Sequence, residues 1–224
     1  IDVDSSSFFG SIILGKGGDD TITSSEQQDL VIGGSGDDTI FSAGEADILK
    51  GGSGDDTFVL VAPSDVIDGD SSGVGEIING GTNDTTTGDI LAIGLSSQTS
   101  TGQNFILGVN GGGAVTTSNL ETLNIGVNNT TVTAFNTFFV NFDQIIGIDQ
   151  SNNAVTGATL KSADTQLNLS SVSVSSAVTT LTGTTSFSDG LTIIDADDSI
   201  GRTLQGSDNS DTLSGLGGND TFVM

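Results

Sequence analysis

Single aliphatic or aromatic residues recur every nine positions between residues 15 and 59, each within a short run of polar residues and glycine. Alternation along an extended strand sends only one side chain of so short a strand inward. The glycines between the strands allow the positive φ angles of tight turns. The pattern therefore predicts a series of short strands around a narrow core. The recurring inward residues are Ile22, Val31, Ile40, Leu49 and Phe58.

The nine-residue units fall into two alternating kinds. One turn and one strand make half a coil of a solenoid, so two units, or 18 residues, complete a coil. Units beginning at Gly15, Gly33 and Gly51 then lie on one edge and are rich in glycine. Units beginning at Ser24 and Ser42 lie on the opposite edge, where they keep an Asp at the sixth place but lose most glycines.

The glycine-rich edge stacks Asp20, Asp38 and Asp56 above one another, which points to a cation site. Carboxylates on adjacent strands would be about 4.8 Å apart and would repel one another without a cation between them. Ca²⁺ suits this arrangement because it takes about six to eight oxygens from carboxylates and carbonyls. We predict one ion between Asp20 and Asp38 and another between Asp38 and Asp56. Further candidate ligands are the carbonyls of Lys16, Gly18, Gly33, Gly34, Ser35, Gly36, Gly51 and Ser53.

Ordinary solvated Asp-Gly turns are the alternative to a metal site. For the glycine-poor edge, with Asp29, Asp47 and Asp65, ordinary turns are the favoured interpretation. Asp38 would serve both ions, so its loss is predicted to remove both, whereas loss of Asp47 should remove none.

The units GKGGDDTIT, GGSGDDTIF and GGSGDDTFV resemble the RTX, or haemolysin-type, calcium-binding repeat with consensus GGxGxDxUx. The nine-residue register returns at residue 197, where Asp211 and Asp220 are further candidate ligands and Arg202 replaces an Asp. The resemblance implies a right-handed parallel β-roll that folds on Ca²⁺ after export of the unfolded chain through a type I secretion system. It also implies a secreted, extracellular bacterial protein.

Residues 68–79 carry oxygen-bearing side chains at alternating places and a glycine at the sixth. This resembles the calcium loop of an EF-hand, with Asp68 and Asp70 as candidate ligands. Asn79 replaces the bidentate Glu of that loop, and no helical pattern flanks it. A polar turn that ends the roll is the alternative to a third calcium site.

Beyond residue 100 the nine-residue period disappears, but short hydrophobic segments recur at uneven spacing between stretches of Ser, Thr, Asn and Gly. A solenoid tolerates loops of variable length, so an irregular parallel β-helix is predicted. The fold class is therefore all-β, with β-roll rungs at both ends. The segments are 104–109, 121–127, 143–149, 165–171 and 191–197. The predicted domains are a first β-roll at 1–68, transition rungs at 69–100, the irregular β-helix at 101–196 and a second β-roll at 197–224.

Four phenylalanines, Phe135, Phe138, Phe139 and Phe142, form the largest aromatic group in the chain. A buried stack is expected, because aromatic side chains bury large apolar areas. An exposed partner surface is the alternative.

Composition narrows the possible functions. The chain of 224 residues has 29 acidic and four basic residues and a net charge of −25, which disfavours nucleic acid and anionic membranes as partners. No stretch approaches 18 consecutive apolar residues, so membrane insertion is not expected. His, Cys, Trp and Tyr are absent, which removes histidine bases, thiolates and disulfides. We therefore expect no enzyme activity.

The favoured function is a calcium-binding structural or interaction segment of a large bacterial cell-surface protein, such as a surface-layer lattice, an adhesin or a haemolysin-like protein. Residues 119–125, NLETLNI, are similar to segments of RTX-bearing surface-layer proteins and giant adhesins. Expected partners are calcium ions, with self-association or cell-surface polysaccharide or lipopolysaccharide as open possibilities. The alternative is a non-catalytic folding or carrier module of a type I-secreted enzyme. Glycosidase and ice-binding functions are less favoured, since nothing marks a cleft and the repeats lack a repeated outward Thr or Asn at their third and fifth places.

Overall fold

The computed structural model describes residues 10–66, 74–83, 88–94, 102–107, 114–184 and 190–224, and almost all of its regular structure is β-strand. The described residues also contain one short α-helix, α1 (Asn136–Phe139), and a 3-10 helix at Pro63–Val66. The strands are β1 (Ile12–Leu14), β2 (Thr21–Thr23), β3 (Leu30–Ser35), β4 (Thr39–Ser42), β5 (Ile48–Ser53), β6 (Thr57–Leu60), β7 (Val74–Thr82), β8 (Ile90–Ile93), β9 (Asn104–Ile106), β10 (Ala114–Ser118), β11 (Thr122–Ile125), β12 (Thr131–Ala134), β13 (Gln144–Ile146), β14 (Ala158–Ser162), β15 (Gln166–Asn168), β16 (Ser173–Val174), β17 (Val178–Gly183), β18 (Thr192–Ile194), β19 (Thr203–Gln205), β20 (Thr212–Ser214) and β21 (Thr221–Val223).

The chain divides into two compact units, the first made of Ile1–Ser96 and Gly111–Asn124. Its strands form two parallel sheets, in the orders β1-β3-β5-β7-β10 and β2-β4-β6-β8-β11. Strands of successive coils pair in register 18 residues apart, as Thr21 pairs with Thr39 and Thr39 with Thr57. The predicted two-unit coil is therefore confirmed.

Each short strand of the repeats contributes one side chain to the core, as the periodicity predicts. These inward side chains are completely buried, whereas their neighbours along the strand are at least partly exposed in most cases. The fully buried set is Ile22, Val31, Ile40, Leu49 and Phe58. One buried side chain from each of five half-coils makes a narrow core, so the stability of the turns matters for the stability of this unit.

The coils lengthen after the fifth nine-residue unit. Ile48 pairs with Ile77, and Thr57 pairs with Ile90, so the strands keep their stacking although more residues lie between them. The extra residues include the 3-10 helix and residues 67–73 and 84–87, which the structure does not describe. Because the register of the sheets is retained, the last residues of β7 stack on the repeat turn, as Gly81 pairs with Gly52 and Thr82 with Ser53.

The outer face of the first sheet of this unit carries an aliphatic row. Ile12, Leu30, Ile48 and Ile77 are direct register partners on β1, β3, β5 and β7. Ile12 is 72% exposed, and Ile48 and Ile77 are 36% and 39% exposed. We call these four residues the outer aliphatic row.

The second unit consists of Ser97–Asn110 and Ile125–Met224. It contains a parallel sheet in the order β9-β12-β14-β17-β19-β21, a parallel sheet in the order β15-β18-β20, and the pair β13-β16. All five hydrophobic segments predicted between residues 104 and 197 contain a strand, namely β9, β11, β13, β15 and β18. The expected all-β fold with parallel, solenoid-like sheets is confirmed. Each of the two compact units combines two separate stretches of the chain, whereas the four predicted domains are continuous ranges of the sequence.

The phenylalanine stack is confirmed for three of its four members. Phe138 packs edge-to-face on Phe139, with ring centroids 5.7 Å apart, and on Phe142, with centroids 5.3 Å apart. All three are at most 6% exposed, and Phe135 is half-buried. The cluster lies on and just after α1, so it is core and not an exposed surface.

Candidate metal centre

Hydrogen bonds join successive Asp residues of the glycine-rich edge, from the backbone of one coil to the carboxylate of the next. The backbone N–H of Asp20 donates to Oδ1 of Asp38 at 2.8 Å, and that of Asp38 donates to Oδ1 of Asp56 at 2.8 Å. Asp38 and Asp56 are each 1% exposed, whereas Asp20 at the first coil is half-buried. The stacking predicted from the 18-residue spacing is thus present, and one oxygen of each lower carboxylate is satisfied by the backbone.

The same chain of hydrogen bonds continues past the repeats to residues that the sequence did not single out. The N–H of Asp56 donates to Oδ1 of Asp89 at 2.6 Å, and the N–H of Asp89 donates to Oε2 of Glu121 at 2.8 Å. Asp89 is fully buried. We call Asp20, Asp38, Asp56, Asp89 and Glu121 the carboxylate ladder. The GG doublet at residues 80 and 81, followed later by Asp89, was the available sequence signal, but the residues inserted between them break the nine-residue count.

The second oxygen of three ladder residues has no partner. Oδ2 of Asp38, of Asp56 and of Asp89 is buried and accepts no hydrogen bond from the described residues. An unpaired carboxylate oxygen away from water is costly, and a bound cation removes that cost. Three such oxygens in one stack therefore indicate a place for positive charge.

The acidity of the ladder carboxyls reflects the same burial. Loss of water raises the pKa of Asp38, raises that of Asp56 to about 6 and raises that of Asp89 to about 7. The hydrogen bond from the preceding coil lowers each pKa, while the neighbouring carboxylates raise it by repulsion. Ca²⁺ binds the ionised form of a carboxyl, so calcium binding and protonation compete on the ladder.

Glycine is required beside each unpaired oxygen. A methyl group on Gly33 would overlap Oδ2 of Asp38 and lie 2.8 Å from the carbonyl oxygen of Gly51. A methyl group on Gly51 would overlap Oδ2 of Asp56 and lie 2.6 Å from the carbonyl oxygen of Gly80. A carboxylate oxygen and a carbonyl oxygen from successive coils therefore converge next to each glycine.

The predicted carbonyl ligands lie in turns that are stacked by backbone hydrogen bonds. The N–H of Lys16 donates to the carbonyl of Gly33 at 2.8 Å, and the N–H of Gly18 donates to the carbonyl of Ser35 at 2.7 Å. A carbonyl has two lone pairs, so such a bond leaves capacity for a cation. Positive φ angles occur at Gly18, Gly34 and Gly36, in conformations that residues with a side chain rarely adopt. The other predicted carbonyls lie in the same turns, at Lys16, Gly51 and Ser53, with that of Ser53 accepting from Gly36 at 2.8 Å.

These residues fit Ca²⁺ and few other metals. Within the described ranges, three or more Asp or Glu side chains nowhere gather into a group that could hold a metal. An ion on the ladder would therefore be held by one or two carboxylates together with backbone carbonyls. Such an all-oxygen set with flexible geometry suits Ca²⁺, whereas Mg²⁺ demands a smaller octahedral site.

Serine hydroxyls satisfy the carboxylates of the opposite edge. Oδ2 of Asp47 accepts from Oγ of Ser24 at 2.8 Å and from Oγ of Ser42 at 3.1 Å. Oδ1 of Asp47 accepts from the N–H of Asp29 at 2.7 Å, and Oγ of Ser42 also lies within hydrogen-bond distance of Oε1 of Glu76, at 2.7 Å. The glycine-poor edge thus uses neutral donors where the ladder leaves oxygens unpaired.

Other predicted ligands have different surroundings. Asp68 and Asp70 lie outside the described residues. Asp65 is 7% exposed, and its Oδ2 accepts from the N–H of Ala62 at 2.8 Å. Asp211 accepts from the N–H groups of Leu191 and Ser207, at 2.7 and 2.6 Å. These partners occupy both oxygens of Asp211.

Arg202 provides a positive charge of its own in the second unit. Its guanidinium donates to Oδ1 of Asp195 and to Oδ2 of Asp198, both at 2.9 Å, and to the carbonyl of Val174 at 2.7 Å. Arg202 is 2% exposed, and its backbone N–H donates to Oδ1 of Asp220 at 2.9 Å. The residue that replaces Asp in the repeat therefore neutralises buried acids directly.

Comparison with known families agrees with this geometry. The family model of the RTX calcium-binding nonapeptide repeat matches residues 11–40, 32–60 and 203–223. No match was found among curated proteins or among solved structures. The chain therefore carries RTX calcium-binding nonapeptide repeats in these regions, which the structure folds as parallel β-strands. No helix in the described residues is long and apolar enough to cross a membrane.

Proposed function

We propose that this chain is a calcium-folded structural segment of a secreted bacterial cell-surface protein and has no catalytic role of its own. The observation that carries the proposal is the set of three buried, unpaired Oδ2 atoms on the carboxylate ladder. Without a cation these oxygens oppose folding, and with Ca²⁺ they become ligands. Folding of the first unit is thereby tied to the calcium concentration around it.

The size of the calcium effect is sufficient for a switch. Extracellular calcium modules bind at roughly 10⁻⁴ to 10⁻³ M. A site saturated about 100-fold stabilises the fold by about 2.7 kcal/mol, provided that the unfolded chain does not bind. Two such sites would contribute about 5 kcal/mol, which is comparable to the whole stability of a small domain. Inside a cell, where free calcium is far lower, that stabilisation is absent.

The functional side chains of the chain support a structural role. Arg202 is engaged with buried acids, and Lys16 lies in a turn of the repeats. With no His, Cys or Tyr in the sequence, the remaining candidates for acid–base work are three lysines and the carboxyls. Those with the most strongly raised pKa values lie inside the stacked edges, where a substrate has no access.

Self-association is part of this proposal. The outer aliphatic row places four apolar side chains side by side on a sheet face, and Ile12 is largely exposed. Burial of this row against a second copy of the chain would remove apolar surface from water. Sedimentation velocity in calcium should then show a concentration-dependent dimer that Ile12→Ser and Ile77→Ser weaken together. A monomer at all concentrations would leave polysaccharide as the partner to test.

The proposed calcium dependence is tested by titration. Calorimetry should show Ca²⁺ binding to the wild-type protein, with Asp38→Asn reducing the number of ions bound and Asp47→Asn leaving it unchanged. Circular dichroism in excess chelator should lose β signal and regain it on addition of Ca²⁺ but much less with Mg²⁺. Equal effects of the two substitutions, or a spectrum indifferent to chelator, would contradict the proposal.

The surface location is tested separately in the source bacterium. An antibody raised against the folded segment should label intact cells, and a chelator should reduce that labelling. Labelling only after cell lysis would exclude a surface role without affecting the calcium chemistry.

A further inference from the structure

We propose that Asp89 binds Ca²⁺, so that the ion row extends beyond the nonapeptide repeats. The site lies next to Gly80, where Oδ2 of Asp89 and the carbonyl oxygen of Asn119 converge, in the turn that stacks on the one preceding Asp56. This inference rests on the proposed function. It adds a site in residues that the repeat family does not match, since the matched residues end at 60 and resume at 203.

The surroundings of Asp89 reproduce those of Asp38 and Asp56. Oδ1 of Asp89 accepts from the N–H of Asp56, and its Oδ2 is buried without a hydrogen-bond partner among the described residues. The residue is fully buried, so water does not serve this oxygen. The carboxylate is therefore oriented by the coil before it and presents one free oxygen, as its repeat counterparts do.

The adjoining turn also has the required shape. A methyl group on Gly80 would overlap both Oδ2 of Asp89 and the carbonyl oxygen of Asn119. Gly80 thus takes the place that Gly33 and Gly51 have in the repeats, with the carbonyl of Asn119 in the place of a turn-glycine carbonyl. Asn119 has a φ of 52°, a left-handed conformation that Asn tolerates better than most residues.

Backbone hydrogen bonds hold the two turns together. The N–H of Gly54 donates to the carbonyl of Thr82 at 3.0 Å, matching the bond from Gly36 to Ser53 in the coil before. Gly52 and Gly81 are register partners on β5 and β7 and have φ angles of 131° and 121°. The described start of the second turn, at residues 80–82, therefore copies the start of the repeat turn, although the sequence after it is different.

Substitution of Asp89 separates metal binding from folding. In Asp89→Asn the amide has the shape of the carboxylate, keeps an oxygen for the N–H of Asp56 and offers an N–H to the carbonyl of Asn119. The variant should therefore fold, and its melting temperature in chelator should exceed that of the wild type, because a buried charge has been removed. In calcium the order should reverse, since the variant lacks one ligand.

The test is calorimetric titration with CaCl₂ of the wild type, Asp89→Asn and the charge-matched control Asp143→Asn, whose position is exposed. We expect one ion fewer per chain for Asp89→Asn and no change for Asp143→Asn. Thermal melts of the three proteins in chelator and in calcium check the reversal of order. Equal ion counts in all three proteins, or a variant less stable than wild type in both conditions, would overturn the third site while leaving the repeat sites standing. Absence of calcium binding by the wild type would instead reject the proposed function.

Discussion

The backbone N–H of Asp47 donates a 2.9 Å hydrogen bond to Oε2 of Glu76, and both side chains are almost completely buried. Burial raises the pKa of Glu76 to about 9. Repulsion from Asp47 and Asp65 also raises this pKa, whereas the hydrogen bond with the hydroxyl of Ser42 lowers it. Burial likewise raises the pKa of Asp47 to about 7. The glycine-poor edge is therefore held by protons and hydroxyls, in contrast to the carboxylate ladder opposite, where three buried oxygens have no hydrogen-bond partner among the described residues.

The first prediction concerns pH. The pKa of Glu76 is higher in the folded protein than in the unfolded chain, so protonation of Glu76 stabilises the fold. This stabilisation is complete below the ordinary pKa of 4.5 and is lost as the pH rises through about 9. Between pH 7 and pH 9 the wild type should lose up to about 2.7 kcal/mol of unfolding free energy through Glu76. In Glu76→Gln the amide can accept from Asp47 and donate to Ser42, so this loss should disappear.

Denaturant unfolding at several pH values in saturating calcium measures this effect. Glu26→Gln, at an exposed turn position, is the control and should retain the wild-type pH dependence. Parallel pH curves for wild type and Glu76→Gln would show that Glu76 is not protonated in the folded protein.

The second prediction concerns the glycines of the ladder. Gly51→Ala places a methyl group against Oδ2 of Asp56 and the carbonyl of Gly80, so it should weaken calcium binding and cost about 1–3 kcal/mol. Gly17→Ala is the matched control, because its methyl group would meet only the hydroxyl of Ser35 at 2.9 Å, which can rotate away. Calcium titration and thermal melts compare the two. Similar affinities would place the ion away from Gly51.

The third prediction concerns Arg202. Arg202→Met keeps an apolar stem but leaves the buried Asp195 without its partner, and removal of one member of a buried ion pair costs about 3–5 kcal/mol. The pKa of Asp195 is already raised by burial, so part of the loss will appear as protonation. The destabilisation should be the same in chelator and in calcium. Lys161→Met, at a partly exposed position on β14, should have little effect, and a calcium rescue of Arg202→Met would refute the assignment of Arg202 as a built-in cation.

The fourth prediction concerns the phenylalanine stack. Phe139 is fully buried and contacts Phe138 edge-to-face, so Phe139→Ala should destabilise the protein by about 3–5 kcal/mol. Val140→Ala, at a position 37% exposed, is the control and should change stability little. Chemical denaturation of both variants gives the comparison. A small effect at Phe139 would mean that the aromatic cluster is not part of the core.

The parts of the fold that repeat could be predicted from the sequence. A strict nine-residue period fixes the inward side chain of each strand and the stacking of Asp20, Asp38 and Asp56. A shift of one residue in register would move every side chain of a strand to the opposite face of the sheet. Asp89 was missed because the loops before it have no fixed length, and only pairing of Thr57 with Ile90 restores the stack.

The serine hydroxyls that satisfy the carboxylates of the opposite edge could not be predicted from the sequence either. Ser24 and Ser42 appeared there only as losses from the consensus, and Glu76 lies on β7, far along the chain. Side-chain hydrogen bonds between distant coils depend on which hydroxyls face inward at the turn, and the periodicity does not report that. The same holds for Arg202, whose charge was evident but whose acidic partners were not.

The carboxylate ladder has a direction. The backbone N–H of each Asp on the ladder donates to the carboxylate of the following coil. Each coil therefore accepts one hydrogen bond from the coil before it and donates one to the coil after it. This alternation stops at Glu121, whose own N–H turns back to the carbonyl of Asp89 at 3.0 Å. The hydrogen bonds at the first coil and at Glu121 therefore do not depend on the number of coils between them. Duplication of an 18-residue pair of units within residues 15–59 would lengthen the carboxylate ladder without altering either end, so the length of such a protein can increase by duplication of units.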